Sequence, residues 1–111
     1  MKGRKKNSYS DGIAKFYKKK DIKKNVRSLD DLEYLGFLYY DEKTRRQQDI
    51  EFAEQLGNHL ELKIVTPDDG NMDTNRNVVI EGVIYAIIHI DRDKEKKELY
   101  FYLEEVRRIE R

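Results

Sequence analysis

The sequence predicts a mainly β fold: a small antiparallel β-barrel (or sandwich) of five to six strands with at most one short helix. Three observations lead there. Leu60–Val65 reads Leu-Glu-Leu-Lys-Ile-Val, the alternation of a half-buried strand. Apolar runs at Val78–Ile80, Val83–Ile90 and Leu99–Val106 follow, separated by a turn at Glu81-Gly82 and a charged turn at Asp91–Lys97. Connections this short cannot make parallel crossovers, so these three strands form an antiparallel meander. Finally, 111 residues favour one domain and leave no room for a second.

Taken from the N-terminus, residues 1–10 show no apolar periodicity and predict a flexible basic arm, with residues 11–111 as the single folded domain. Ile13–Lys19 alternates around Phe16 and Tyr17 and suits a first strand. Lys20–Asp31 is polar, charged and long for a hairpin connection, which marks it as a candidate functional loop. Leu32–Asp41 is apolar on both faces: Leu32, Tyr34, Leu38 and Tyr40 on one, Leu35, Phe37 and Tyr39 on the other. A strand of that kind is covered on both sides. In a chain this small, another subunit can supply one cover. Glu42–Gln48 holds good helix formers and predicts a short helix. Ile50, Ala53 and Leu56 recur at helix-like spacing, but Ile50, Phe52, Leu56, Leu60, Leu62 and Ile64 all sit at even positions, the period of a strand; between the two patterns, extended chain is expected after the helix, broken around Gly57-Asn58. Pro67-Asp68-Asp69-Gly70 supplies turn chemistry, and a polar loop continues to Asn75.

Composition excludes whole classes of function. Leu, Ile, Val and Phe make up about a quarter of the chain, above the roughly 20% that marks disorder. Charged residues reach 41%, so the core is thin and the domain gains from partners. With no cysteine, disulfide scaffolds, thiolate zinc sites and cysteine nucleophiles are out. The longest mostly apolar run, Val78–Ile90, is too short for a membrane helix, and no apolar stretch follows the basic start as a secretion signal requires. No membrane partner and a cytosolic site of synthesis are therefore expected. The net charge of +1 hides a division: residues 1–27 carry 11 basic and 2 acidic side chains, residues 28–111 carry 12 and 20. A basic arm beside an acidic body suits nucleic acid, an acidic neighbour, or simply a solvated tail.

Catalytic motifs are missing. There is no phosphate-cradling glycine loop and no Gly-x-Ser-x-Gly, and His59 and His89 fall in different strand-like segments. Asp68, Asp69, Asn71 and Asp73 resemble part of a calcium loop, but twelve positions from Asp69 the expected glutamate is Ile80. No enzyme, metal or cofactor is expected. Leu99, Phe101 and Leu103 form a core face, leaving Tyr100 and Tyr102 outward beside Glu104. An acidic neighbourhood repels phosphate, so these tyrosines predict cross-strand or subunit contacts rather than base stacking.

The order of segments resembles the head closure (head–tail joining, stopper or adaptor) proteins of long-tailed bacteriophages. The residues that carry the likeness are Asp49-Ile50-Glu51-Phe52-Ala53-Glu54-Gln55 and Leu60-Glu61-Leu62-Lys63-Ile64. After a variable loop come Val78-Val79-Ile80-Glu81-Gly82-Val83-Ile84-Tyr85, Ile88–Asp91 and Leu99-Tyr100-Phe101-Tyr102-Leu103. The opening Asp11-Gly12-Ile13-Ala14 and the Tyr39-Tyr40-Asp41-Glu42 segment are similar to the branch from phages of Gram-positive hosts. The tryptophan frequent before the second strand in other branches is absent.

The resemblance implies a non-enzymatic virion protein of the phage or prophage head–tail connector, made in the host cytoplasm. Its subunits would form a ring, twelve-fold in the virion and weak or absent in isolation. The implied partners are portal and adaptor proteins, tail completion proteins and packaged DNA in the channel. Candidate channel or plug residues are Lys20, Lys23, Lys24, Arg27, Arg45 and Arg46. Candidate subunit or tail contacts are Tyr34, Phe37, Tyr39, Asp68, Asp69, Asp73, Tyr100 and Tyr102. A second expectation, of another class, is a freestanding barrel that binds nucleic acid through residues 1–27.

Overall fold

Six antiparallel strands close into one barrel in a computed structural model that describes residues 9–109. They are β1 Gly12–Lys19, β2 Leu32–Lys43, β3 Leu62–Pro67, β4 Asn77–Ile80, β5 Val83–Asp93 and β6 Glu98–Arg108. One helix, α1 at Gln47–Gln55, lies between β2 and β3, and a single 3-10 turn at Leu29–Asp31 precedes β2. The ring order is β1-β2-β3-β6-β5-β4. The expected meander is present in β4, β5 and β6. The remaining seams join distant parts of the chain: β3 pairs with β6, and β1 closes the ring onto β4. Most of the expected arm lies outside the described residues. Its last two, Tyr9 and Ser10, are held: the Tyr9 hydroxyl donates to Glu98 at 2.7 Å and the Ser10 N–H to Asp41 at 2.7 Å.

Alternation sets what faces inward. Ala14 and Phe16 of β1, Tyr40 of β2, Ile64 of β3, Val78 and Ile80 of β4, Ile87 of β5, and Leu99, Phe101 and Leu103 of β6 fill the interior. Phe16 and Phe101, from strands on opposite sides of the ring, meet across it with centroids 5.5 Å apart. Between β4 and β5, Glu81 and Gly82 take φ of 48° and 78°, the paired positive angles of a tight two-residue hairpin.

Two expectations need correction. The helix lies at Gln47–Gln55, not at 42–48, and the chain after 48 is not extended. Glu42 and Lys43 complete β2, paired with Ile64 and Lys63. The Asp49 carboxylate accepts the Arg46 N–H at 3.0 Å, satisfying a donor that the first turn would otherwise leave free. Helix then wins from there because Ile50 and Ala53, three apart, both turn onto the barrel. Second, neither Leu32 nor Tyr34 shares the inner face with Leu38 and Tyr40; Leu32 joins the outer cluster with Val79 and Ile84. The β1–β2 register slips between Phe16 and Tyr17, which pair with Gly36 and Tyr34 and leave Leu35 as an extra residue. Tyr34 is half exposed as a result, edge-on to Tyr17 at 5.4 Å. The strand expected at Leu60–Val65 spans Leu62–Pro67, with Leu60 buried ahead of it under α1.

Candidate interaction surface

A barrel has an outer as well as an inner face on every strand, and apolar residues on the outside need a cover. This chain covers two of its outer walls itself. On β4 and β5, Val79 and Ile84 point away from the interior and are capped by Val26, Leu29 and Leu32 from the loop and its exit, with Ile109 alongside. That loop is pinned by its own turn chemistry: the Asp31 carboxylate accepts the N–H groups of Arg27 at 2.8 Å and Ser28 at 3.3 Å. The Arg27 N–H bond above all holds the Asp31 carboxyl below its ordinary pKa. Val26 thus anchors the loop, while Lys20, Lys23, Lys24 and Arg27 are exposed.

The second covered wall is β3–β6–β5, where α1 seats Ile50 and Ala53 against Tyr102, Tyr100 and Ile88. At its centre is a buried charge cluster. Asp49 is 4% exposed; its Oδ2 accepts from Lys63 Nζ at 2.9 Å, and its Oδ1 from the Tyr102 hydroxyl at 3.1 Å. The Arg46 guanidinium adds contacts at 3.3 and 3.4 Å, while Lys63 Nζ also stands 5.2 Å from the Tyr102 ring centroid. Burial alone would raise the Asp49 pKa. The bonds from Lys63, Arg46 and Tyr102 outweigh it and hold the carboxyl at about 2. Tyr102 moves the other way: burial, then its bond to Asp49, pushes the phenol up to about 12. Both ionisation states are therefore fixed at neutral pH, and the cluster clamps the helix to the sheet.

The third wall, β1–β2, is bare among the described residues. Ile13, Phe37 and Tyr39 are 43%, 48% and 55% exposed, and Leu35 and Tyr34 extend the patch. Ile13 stands opposite Tyr39 and Lys15 opposite Phe37, so these four share the outer face, and Phe37 meets Tyr39 edge-on at 5.6 Å. Large apolar side chains clustered on one exposed face mark an interaction surface. In ring order this wall is opposite the one beneath α1.

The other expected site residues have internal roles. Arg45 donates to the Leu60 carbonyl at 3.1 Å and Arg46 to Asp49, so both tie α1 to its surroundings. Asp68 accepts from Gly70 N–H and pairs with Arg92 at 2.9 Å, while Asp69 and Asp73 accept from Asn71 and Asn75 N–H and shape the loop before β4. Tyr102 does point away from the interior, but α1 covers it, leaving it 6% exposed; Tyr100 is half-buried beside it. His59 faces Glu61 at 3.2 Å and His89 stacks edge-on against Phe52, so the histidines stay apart. Among the described residues no group of three or more His, Cys, Asp or Glu side chains is placed to hold a metal ion. A cleft of about 630 Å³ is lined by Arg27, Arg107 and Arg108 with Ile84, Glu105 and Ile109, bringing the basic loop to the end of β6.

Sequence reasoning passed over Asp49 and Lys63. The one available signal was an acid three residues after Arg46, the spacing of a helix start. No protein-family model matches the sequence, and no curated protein matches it.

Proposed function

We propose that this chain is a non-enzymatic structural subunit of the head–tail connector of a tailed phage or prophage. It forms a ring under the portal and adaptor proteins, twelve-fold in the virion, that retains packaged DNA and docks the tail. The observation that carries this reading is the aromatic wall on β1–β2, bare among the described residues, of a barrel whose other outer walls are covered by its own loop and helix. A surface of that kind stays in water at a cost and is relieved by a neighbour. The small closed barrel and the linear order of segments from Ser10 onward support the same reading. Loop 20–31 is the element suited to DNA in the channel, since Val26 anchors it while its lysines reach solvent.

The test is DNA retention in capsids from a phage or induced prophage that lacks this gene. Capsids that fill, lose their DNA, and regain tail joining when purified protein is added are the expected result. Full, stable, tail-competent capsids would overturn the reading.

A second reading is nucleic-acid binding by the free barrel through residues 1–27, favoured by the cleft that sets Arg27 beside Arg107 and Arg108. It requires duplex or single-stranded DNA affinity that falls steeply with salt and drops when Lys18, Lys19, Lys20, Lys23 and Lys24 are neutralised. Binding that is absent, or unchanged between low and moderate salt, removes it.

A further inference from the structure

Folding gathers basic side chains that the sequence keeps apart. Loop 20–31 lies on the β4–β5 wall, and three clefts follow it along its length. The first sets Lys19 beside Arg76, against Ala86 and Ile87 of β5. The second holds Lys24 and Arg27. The third joins Arg27 to Arg107 and Arg108 over Ile84 of β5. Arg76, Arg107 and Arg108 lie outside residues 1–27, so the face is more basic than the N-terminal stretch alone makes it. Ile84 and Ile87 are three residues apart, which at about 3.3 Å per residue separates the outer clefts by about 10 Å along β5.

The nearby acids do not cancel this charge. Asp31 turns its carboxylate onto the N–H groups of Arg27 and Ser28, and Asp21 onto the N–H of Lys23. Glu33, Asp73 and Glu105 reach Lys18, Arg76 and Arg108 only at 3.8, 3.9 and 3.6 Å, and open pairs that long contribute little. Among the described residues, the cationic groups of Lys19, Lys24, Arg27 and Arg107 form no ion pair. Like charges held on one face repel, and an anion relieves them. The loop is also fixed in advance: Val26 is buried on the wall, and the Lys20 N–H donates to the Asp31 carbonyl at 3.0 Å.

We infer that this face is a track for the phosphate backbone of duplex DNA, running along loop 20–31 from Lys19 and Arg76, past Lys24, to Arg27, Arg107 and Arg108. A track of about 10 Å spans about three successive phosphates of one strand, which advance about 3.4 Å each along the duplex axis. No aromatic side chain lines the three clefts, so bases have nothing to stack on. Contact is with phosphate, carries no sequence preference, and favours the duplex for its higher charge density. This inference rests on the nucleic-acid reading above and adds the arginines from outside residues 1–27 that complete the site.

The test follows the full-length protein binding a short duplex of mixed sequence, by fluorescence anisotropy, as salt rises. Arg107→Gln with Arg108→Gln should weaken binding several-fold and lower the slope of log affinity against log salt by about 1.8, and Arg76→Gln should lower it by about 0.9. Arg107→Lys with Arg108→Lys keeps the charge and should keep most of the binding. Lys94→Gln with Lys96→Gln removes the same charge from the turn between β5 and β6 and should change little. Equal losses from the two glutamine pairs would mean that only net charge matters and would overturn the track. Tighter binding to a single strand of the same length would mean base stacking and overturn it too. The outcome is separable from that of the nucleic-acid reading. If the arginine variants bind like the unaltered protein while neutralising Lys18, Lys19, Lys20, Lys23 and Lys24 abolishes binding, the track falls and the reading stands. Absent or salt-independent binding by the unaltered protein removes both.

Discussion

Replacing Asp49 by asparagine isolates Lys63. The carboxylate is 4% exposed, and Lys63 Nζ stands 2.9 Å from it with its own side chain 7% exposed. Asparagine keeps the shape and can still accept one or two of the bonds from Arg46 and Tyr102, but the charge is gone. Removing one member of a buried ion pair costs about 3–5 kcal/mol. One feature lowers that range: the ammonium keeps its place over the Tyr102 and Tyr100 rings at 5.2 and 5.8 Å, which returns about 1 kcal/mol. We expect D49N to lose about 3 kcal/mol, read in urea as a midpoint about 2 M lower with an unchanged slope. K63M should cost less, about 1–2 kcal/mol, because Asp49 keeps Arg46 and Tyr102. D49N/K63M should be no worse than D49N, since a buried pair replaced together is often nearly neutral. The same cluster predicts an acid limb. Asp49 is depressed from 3.8 to about 2, so its contribution, about 2.5 kcal/mol, is full above pH 5 and is lost as pH falls through 2. D49N should lack that limb. A loss under about 1 kcal/mol for D49N, or a double variant that loses the sum of the singles, would mean that α1 is held by its apolar contacts alone.

Further expectations concern other links of the chain. Tyr102→Phe removes one donor to Asp49 and should cost about 1 kcal/mol. It should also flatten the loss of stability between pH 10 and 12 in alkaline titration, because a raised phenol pKa stabilises the fold below 10 and ceases to as pH rises through about 12. Glu81→Asn, at a left-handed position followed by Gly82, should raise the melting temperature by the equivalent of about 0.5–1 kcal/mol. Phe37→Ser with Tyr39→Ser should leave folding stability within about 1 kcal/mol, as expected for exposed positions, while abolishing tail joining in the capsid assay.

Strands were legible where alternation and turn residues agreed. Val78 to Val106 announces its hairpins because each run is bounded by residues that only turns favour, and β4, β5 and β6 follow it closely. The segment around α1 was not legible because two periods coincide: Phe52, Leu56 and Leu60 are four apart, which satisfies both an even-numbered strand face and a helical ridge. What breaks the tie is tertiary. Asp49 can start the helix only because Lys63, fourteen residues on, and Tyr102, fifty-three residues on, are there to receive its charge. Alternation told correctly that Tyr102 points away from the interior. It could not tell that an outer face would be roofed. Tyr34 departs from the alternation for a local reason, one extra residue at Leu35, and Gly36 beside it, a glycine inside a strand pattern, is the sequence sign of that bulge.

The ring's seams are unequal, and that bears on how the molecule comes apart. β5 and β6 are joined from Val83 to Asp93, but β2 meets β3 only over Asp41–Lys43, and β1 meets β4 only over Lys15–Tyr17. The β1–β2 hairpin is therefore a flap hinged on two short ladders, and its amides should exchange with solvent ahead of those in β5–β6. The flap also carries the exposed aromatic wall. In the proposed ring, a neighbour seated on that wall would have to be released before the flap could open, so the free energy of local opening would rise on assembly. The chain is thus least tightly stitched beneath its most exposed apolar face.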